Sequence, residues 1–228
     1  MSELQTRLDQ LVLRLDHMGM RVEQAVSDAL HALWKNDVQA GAAVDKADPI
    51  IDREEIEIEQ ECIRLLALYQ PTAVDLRALC TIIKVNSDLE RIADLAASIG
   101  RRVRHVVSGD VSLDKCSEFE HLAQAMTDVL GRTVRILTVN DVEAARRVIE
   151  SDALIDKGYR HVVQSVLQND GSRIGGAGPA LTVINLAKAM ERIGDHCTNI
   201  AEDIIFLRTG DIVRHARASR SDRTTESN

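Results

Sequence analysis

The chain has 228 residues, of which 45% are hydrophobic, 28% are charged and only 2% are aromatic. This apolar content excludes a wholly disordered chain. The shortage of aromatic residues and turn signals argues against a β-sandwich or barrel, so the composition favours an all-α protein. The formal net charge of −8 argues against nucleic-acid binding, which requires a clustered basic face.

The first residues mix acids with apolar side chains, which is not the pattern of a signal peptide. No apolar run approaches the length of about 18 residues that would predict a membrane span. The cysteines show no paired spacing of the kind found in metal motifs or disulfide frameworks, and they are Cys62, Cys80, Cys116 and Cys197. We therefore expect reduced, mostly buried cysteines and a cytoplasmic protein.

The predicted elements are six long helices. Apolar residues recur at three- and four-residue spacing from Leu11 to Leu33, which indicates an amphipathic first helix. Asn36-Asp37 is an N-cap signal for the second helix. Pro71 ends the second helix and fits the first turn of the third. The expected helices span approximately residues 5–35, 38–69, 72–106, 115–138, 141–168 and 179–208.

The chain contains an internal repeat. A shift of 104 residues lays Ile51-Asp52 on Ile155-Asp156, and a shift of 101 lays ERIAD (90–94) on ERIGD (191–195). One long period indicates two copies of a subdomain. Long helices joined by short loops pack antiparallel, so we expect two three-helix bundles side by side. The boundaries predict a first repeat at 1–109, a second at 110–210 and a flexible tail at 211–228.

Four acid-x-x-x-acid pairs occupy equivalent places in the two repeats. Side chains at i and i+4 of a helix are neighbours, so each pair is slightly repulsive unless a cation binds it. Carboxylate oxygens suit Mg, Mn, Ca or iron. Isolated pairs arise by chance among 36 acids, but recurrence in register favours a metal site over ordinary solvated faces. The candidate ligands are Asp48, Asp52, Glu90, Asp94, Asp152, Asp156, Glu191 and Asp195.

A helical wheel separates these pairs into two kinds. It places the pairs of the second and fifth helices inside an apolar sector, and Ile56, Ile63 and Leu167 contribute to the borders of that sector. It places Glu90/Asp94 and Glu191/Asp195 nearly opposite the core stripes, on an outer face. The wheel leaves open whether the two kinds of pair share one metal.

Three arginines accompany the acidic motifs. Arg91 and Arg192 each follow a motif glutamate, and Arg77 lies upstream of the first motif. Ion pairing with nearby acids is the simpler role for them, and direct anion binding is the alternative.

These motifs resemble the PhoU family. They comprise Asp-x-x-x-Asp in the second helix, QPTAVDLR (70–77), DLERIAD (88–94) and MERIGDHCTNIAE (190–202), and the resemblance covers approximately residues 5–210. The chain departs from the family pattern at Ala93, where the family has glycine. It also has Leu186-Ala187-Lys188-Ala189 where a polar Asn-Leu pair often precedes the second motif.

The resemblance implies two three-helix bundles, multinuclear metal sites on the eight acids, and a homodimer. Iron is the first expectation, and zinc, manganese, magnesium, nickel and calcium are alternatives. The implied partners are the cytoplasmic ATPase of a phosphate ABC transporter and a sensor histidine kinase, with membrane contact through partners only. Such a protein is a regulator without catalysis, and it keeps the phosphate-starvation response off when phosphate is plentiful.

Two other functions compete with this interpretation. One is a helical scaffold that binds no metal. The other is a di-iron carboxylate enzyme, which requires Glu-x-x-His on two helices, whereas only Glu118-x-x-His121 fits. The glycine-rich stretch 171–178 lacks the GK[ST] of a nucleotide-binding loop, so it is interpreted as a flexible turn.

Overall fold

A computed structural model describes residues 2–109, 111–139, 141–168 and 174–213, and within these ranges the chain forms helices and no strand. The all-α prediction is therefore confirmed. All predicted helix ends lie within two residues of the observed ones, with a 3-10 turn at Leu113–Lys115 before α4. The helices are α1 (Glu3–Lys35), α2 (Val38–Tyr69), α3 (Ala73–Ser108), α4 (Ser117–Val139), α5 (Val142–Gln168) and α6 (Ala177–Thr209).

The repeat is visible at the starts of α2 and α5. The carboxylate of Asp37 accepts two backbone N–H bonds of the α2 first turn at 2.9 and 3.0 Å. Asp141 does the same for α5 at 2.9 and 3.1 Å. Pro71 follows the end of α2, as predicted, but it does not lie in the first turn of α3, because the N-cap position of α3 is Thr72. Pro179, in contrast, lies in the first turn of α6.

The centre of the molecule is a four-helix bundle of α1, α3, α6 and α4, in which each half supplies two helices. The carboxylate of Asp88 on α3 contacts the ring of His196 on α6 at 2.7 Å. Lys84 contacts Asp203 in the same interface at 3.1 Å. The paired residues advance in opposite chain directions, so α3 and α6 are antiparallel. The second pair of central helices, α1 and α4, meets where Trp34 packs edge-on against Phe119 with ring centroids 5.7 Å apart.

Helices α2 and α5 lie outside this central bundle, on opposite edges. Helix α2 packs against α1 and α3, and α5 packs against α4 and α6. Their buried sector is narrower than the wheel predicts: Ile56, Ile63 and Leu167 are 50%, 54% and 64% exposed. The physical reason is that each outer helix has neighbours on one side only.

The prediction that the cysteines form no disulfide bonds is confirmed. All four are free, and three of them are buried. Burial raises the pKa of the Cys62 and Cys197 thiols to about 12, so neither forms a reactive thiolate near neutral pH. Among the described helices, none combines the length and apolar character that a bilayer span requires.

Two predictions fall partly or wholly on residues outside the described ranges. Residues 211–213 follow α6 without helical structure, and the rest of the predicted tail, 214–228, lies outside those ranges. The glycine-rich turn is described only from Ile174 onwards. There Gly175 and Gly176 have φ of +111° and +109°, which side chains with a Cβ rarely adopt.

Candidate metal centres in two acidic grooves

The acidic pairs of neighbouring helices face each other in two grooves. We call the junction of α2 and α3 the first groove and the junction of α5 and α6 the second groove. In the first groove the side-chain amide of Asn86 donates to the Glu55 carbonyl at 2.8 Å, and Gly41 lies against Gly100, so the two contacts together define an antiparallel register. This register places Asp48 beside Asp94 and Asp52 beside Glu90. The two kinds of pair therefore share one groove in each half.

This arrangement corrects the predicted outer face for the two glutamates, whereas Asp94 is 47% exposed and Asp195 is also exposed, as predicted. The side chain of Glu90 is only 21% exposed, and that of Glu191 only 13%. The acids of α3 and α6 do point away from the central bundle, but α2 and α5 pack over that flank. A helical wheel describes one helix alone, so it could not show that a neighbouring helix covers the acids.

Carboxylates crowd one another in the first groove. Burial, together with the charges of Asp52 and Asp94, raises the pKa of Asp48 to about 6. Burial and the Asp94 charge raise the pKa of Glu90 as well. Arg91 opposes this repulsion, since its guanidinium lies 3.4 Å from Glu90 and 3.6 Å from Asp94.

The second groove brings three carboxylates still closer together. Oxygens of Asp152, Asp156 and Asp195 all lie within 4.8 Å of one another. Burial and the charges of Glu191 and Asp152 raise the pKa of Asp195 to about 6. The Lys188 ammonium contacts Glu191 at 2.6 Å and partly offsets this effect. In addition, the Thr198 hydroxyl on α6 donates to Asp152 on α5 at 3.4 Å.

These donor sets fit a hard metal ion. Oxygen atoms from two helices converge, and both burial and the neighbouring carboxylates raise the pKa of Asp48 and of Asp195, which disfavours their ionised forms. A divalent or trivalent cation would supply compensating charge and favours such oxygen ligands. The residues present therefore fit the metal sites that the sequence predicts, and the second groove has the more compact ligand set.

The predicted supporting arginines differ in position. Arg91 lies in the first groove on the motif acids, as its predicted ion-pairing role requires. Arg192 is exposed and forms no ion pair with any described residue. Arg77 lies near the start of α3 against Gly210, roughly 20 Å along the helix from Glu90, and is not part of either groove. Glu118 and His121 lie at the start of α4, away from both grooves.

Several residues of the grooves were not predicted as site residues. Asn86 is fully buried between α2 and α3, and Lys188 pairs with Glu191. Gly194 packs against Ile155, where an added Cβ would lie 2.7 Å from the Ile155 Cδ1 atom. A buried asparagine on an otherwise apolar face was an available signal for the first of these. The contact at Gly194 depends on how two helices cross, which spacing along one helix does not specify.

Comparison with known proteins identifies the fold and the family. A family model of the PhoU domain matches residues 15–103 and again residues 119–204. The phosphate-specific transport system accessory protein PhoU of Serratia marcescens is 33% identical over 94% of this chain and 88% of its own length.

Two crystal structures share the architecture. The phosphate transport system regulatory protein PhoU of Streptococcus pneumoniae superposes with a TM-score of 0.85 at 24% identity, over 92% of this chain and 99% of that one. PhoU of Pseudomonas aeruginosa superposes at 0.82 with 31% identity, over 92% and 100%. The paired helical repeats, their equivalent acidic motifs and the two domain matches lead to one conclusion: the chain belongs to the PhoU family.

Proposed function

We propose that this protein is a regulatory accessory subunit of phosphate uptake. Related proteins are named as accessory or regulatory proteins of the phosphate transport system. On this proposal the chain acts in the cytoplasm and contacts the ATPase of a phosphate ABC transporter and a sensor histidine kinase. It keeps the phosphate-starvation response off when phosphate is plentiful, works as a homodimer and reaches the membrane only through these partners.

The observation that carries the proposal is the recurrence of one acidic groove in both halves. Two repeats with the same motif acids build a pseudo-symmetric body whose two acidic grooves lie on opposite edges of the central bundle. The proposed activity is regulatory and requires no catalysis. We therefore propose that the protein acts by binding.

Metal ions belong to this proposal. Asp48, Asp52, Glu90 and Asp94 would hold metal in the first groove, with iron as the first expectation. Asp152, Asp156, Glu191 and Asp195 would do so in the second. A bound cation would offset the carboxylate repulsion and join each outer helix to the central bundle. The chain's own residues orient the acids: Asn86 fixes α2 against α3, and Thr198 contacts Asp152 across the second groove.

The regulatory role is tested by deleting the gene in its host and measuring alkaline phosphatase activity in phosphate-rich medium. We expect phosphatase activity to rise in the deletion strain and to fall again when the wild-type chain is restored. Unchanged phosphatase activity after deletion would contradict the regulatory role.

The part played by the grooves is tested by complementation with variants. Asp94→Asn/Asp195→Asn removes one charge from each groove, and we expect it to restore repression incompletely. The matched control is Asp9→Asn/Asp128→Asn, two exposed acids that each accept a bond from a glutamine four residues earlier. Equal repression by both variants would favour the metal-free scaffold instead.

A further inference from the structure

We propose that the two grooves are unequal metal sites and that the second groove binds a divalent cation more tightly. A main cause of this difference in affinity is the residue inside each motif, which is Ala93 in the first groove and Gly194 in the second. This inference rests on the metal-binding part of the proposed function. It concerns a difference between the halves of this chain, because the two motifs read ERIAD and ERIGD.

Gly194 lets α5 approach α6 at the level of the acids. An added Cβ there would lie 2.7 Å from Cδ1 and 3.1 Å from Cγ2 of Ile155, closer than atoms normally pack. Ile155 is buried, and it lies between Asp152 and Asp156 in the sequence. Its close packing on the α6 backbone therefore brings both acids towards Asp195. This accounts for the three carboxylates with oxygens within 4.8 Å.

The first groove has its closest helix approach elsewhere. A Cβ on Gly41 would lie 2.6 Å from the Gly100 carbonyl oxygen, so α2 and α3 touch at these two residues. Gly100 is seven residues, or about 10 Å of helix, beyond Ala93. The corresponding residues of the second half are Ala145 and Ala201, and both are buried. The close contacts made by glycine thus lie away from the acids in the first groove and beside them in the second.

A half-open cleft between α1 and α2 reaches the motif residue of the first half. It has a volume of about 490 Å³ and is lined by Val44, Asp48, Ile51 and Ala93 together with residues of α1. Ile51 is the repeat equivalent of Ile155, and Ala93 carries the methyl group that Gly194 lacks. Within residues 2–109, no three acids bring their oxygens as close together as the acids of the second groove do.

The positively charged side chains beside the acids also differ between the two grooves. Arg91 contacts both Glu90 and Asp94, so a cation that binds these acids must displace a guanidinium from two ligands. In the second groove Lys188 contacts Glu191 and lies 5.2 Å above the Tyr159 ring. Lys188 therefore contacts Glu191 directly and acts on Asp195 through its charge.

The experiment is a calorimetric titration of the full chain with Mn²⁺ after chelator treatment. We expect two classes of site whose dissociation constants differ by about tenfold or more. Asp195→Asn should remove the tighter class, and Asp94→Asn the weaker one. Equal affinities, or loss of the tighter class in Asp94→Asn, would overturn the proposal.

The residue inside the motif is tested by Gly194→Ala, which we expect to weaken the tighter class about tenfold. Gly178→Ala is the matched control, because it lies on the same helix with nothing within 4 Å of the added Cβ. Ile155→Val removes the Cδ1 atom that would make the closest contact with the added Cβ. The double variant Gly194→Ala/Ile155→Val should therefore recover Mn²⁺ affinity, and it should fold even if Gly194→Ala alone does not.

Failure to recover affinity in the folded double variant would overturn the role of position 194. So would unchanged affinity in Gly194→Ala. If Mn²⁺ binds in neither groove, both the asymmetry and the metal part of the proposed function are wrong. The regulatory role is judged separately by the phosphatase measurements, so the two failures are distinguishable.

Discussion

The two halves of the molecule use the same motif acids with different packing around them. In the first half, Ala93 and Ile51 line a half-open cleft between α1 and α2, and Arg91 neutralises part of the acidic cluster. In the second half, Gly194 contacts Ile155 closely, and three acids converge. The comparison teaches that equivalent acids do not make equivalent grooves, because helix approach and nearby counter-charges set the geometry.

The largest expected effect concerns the isoleucines that face the motif residue. Ile155→Ala should lower the free energy of unfolding by about 4 kcal/mol, and Ile51→Ala by about 2 kcal/mol. Ile155 packs tightly against Gly194, whereas Ile51 lines a half-open cleft between α1 and α2, so truncating Ile51 leaves a smaller enclosed void. Urea denaturation of the metal-free variants measures both losses. Equal losses would show that the halves are packed alike.

The pH dependence of stability should be a smaller effect. The pKa values of Asp48 and Asp195 are about 6 in the folded chain, against 3.8 for an unperturbed carboxyl. The folded chain therefore binds more protons than the unfolded chain between these values. For these two groups, stability is greatest below about pH 4 and falls as pH rises towards about 6.

The measurement is the melting temperature of metal-free protein between pH 4 and 7. Asp48→Asn/Asp195→Asn should reduce the fall in melting temperature over this range. It should also be more stable than the wild type at pH 7, because it lacks the repulsive charges. The single variants report each groove separately. A double variant with the wild-type pH profile would contradict the raised pKa values.

The arginines should give the smallest effect on stability. Arg91→Ala and Arg192→Ala should each change the free energy of unfolding by less than about 1 kcal/mol, since both are surface residues. Their effects on Mn²⁺ affinity should differ. Arg91→Ala removes the cation that competes for Glu90 and Asp94, so first-groove affinity should rise several-fold, while Arg192→Ala leaves both grooves unchanged. A rise in Mn²⁺ affinity in Arg192→Ala instead would contradict the difference that we infer between the two grooves.

Much of the fold could be predicted from the sequence because its signals are local. The aspartate caps of α2 and α5, the apolar spacing and the repeat locate the helices and identify the eight acids. The wheel could not place Glu90 opposite Asp52, since that depends on the register set by Gly41, Gly100 and Asn86. The exposure of Ile56 and Ile63 was missed for a related reason: an outer helix buries one side only.

The central claim is that the matched acids of both grooves bind metal, and metal content tests it most directly. The wild-type chain and Asp94→Asn/Asp195→Asn are purified without chelator, and the metal bound per chain is measured by mass spectrometry. We predict that the wild type retains metal and that the variant, folded by circular dichroism, loses most of it. Equal metal content in the two proteins would contradict the claim.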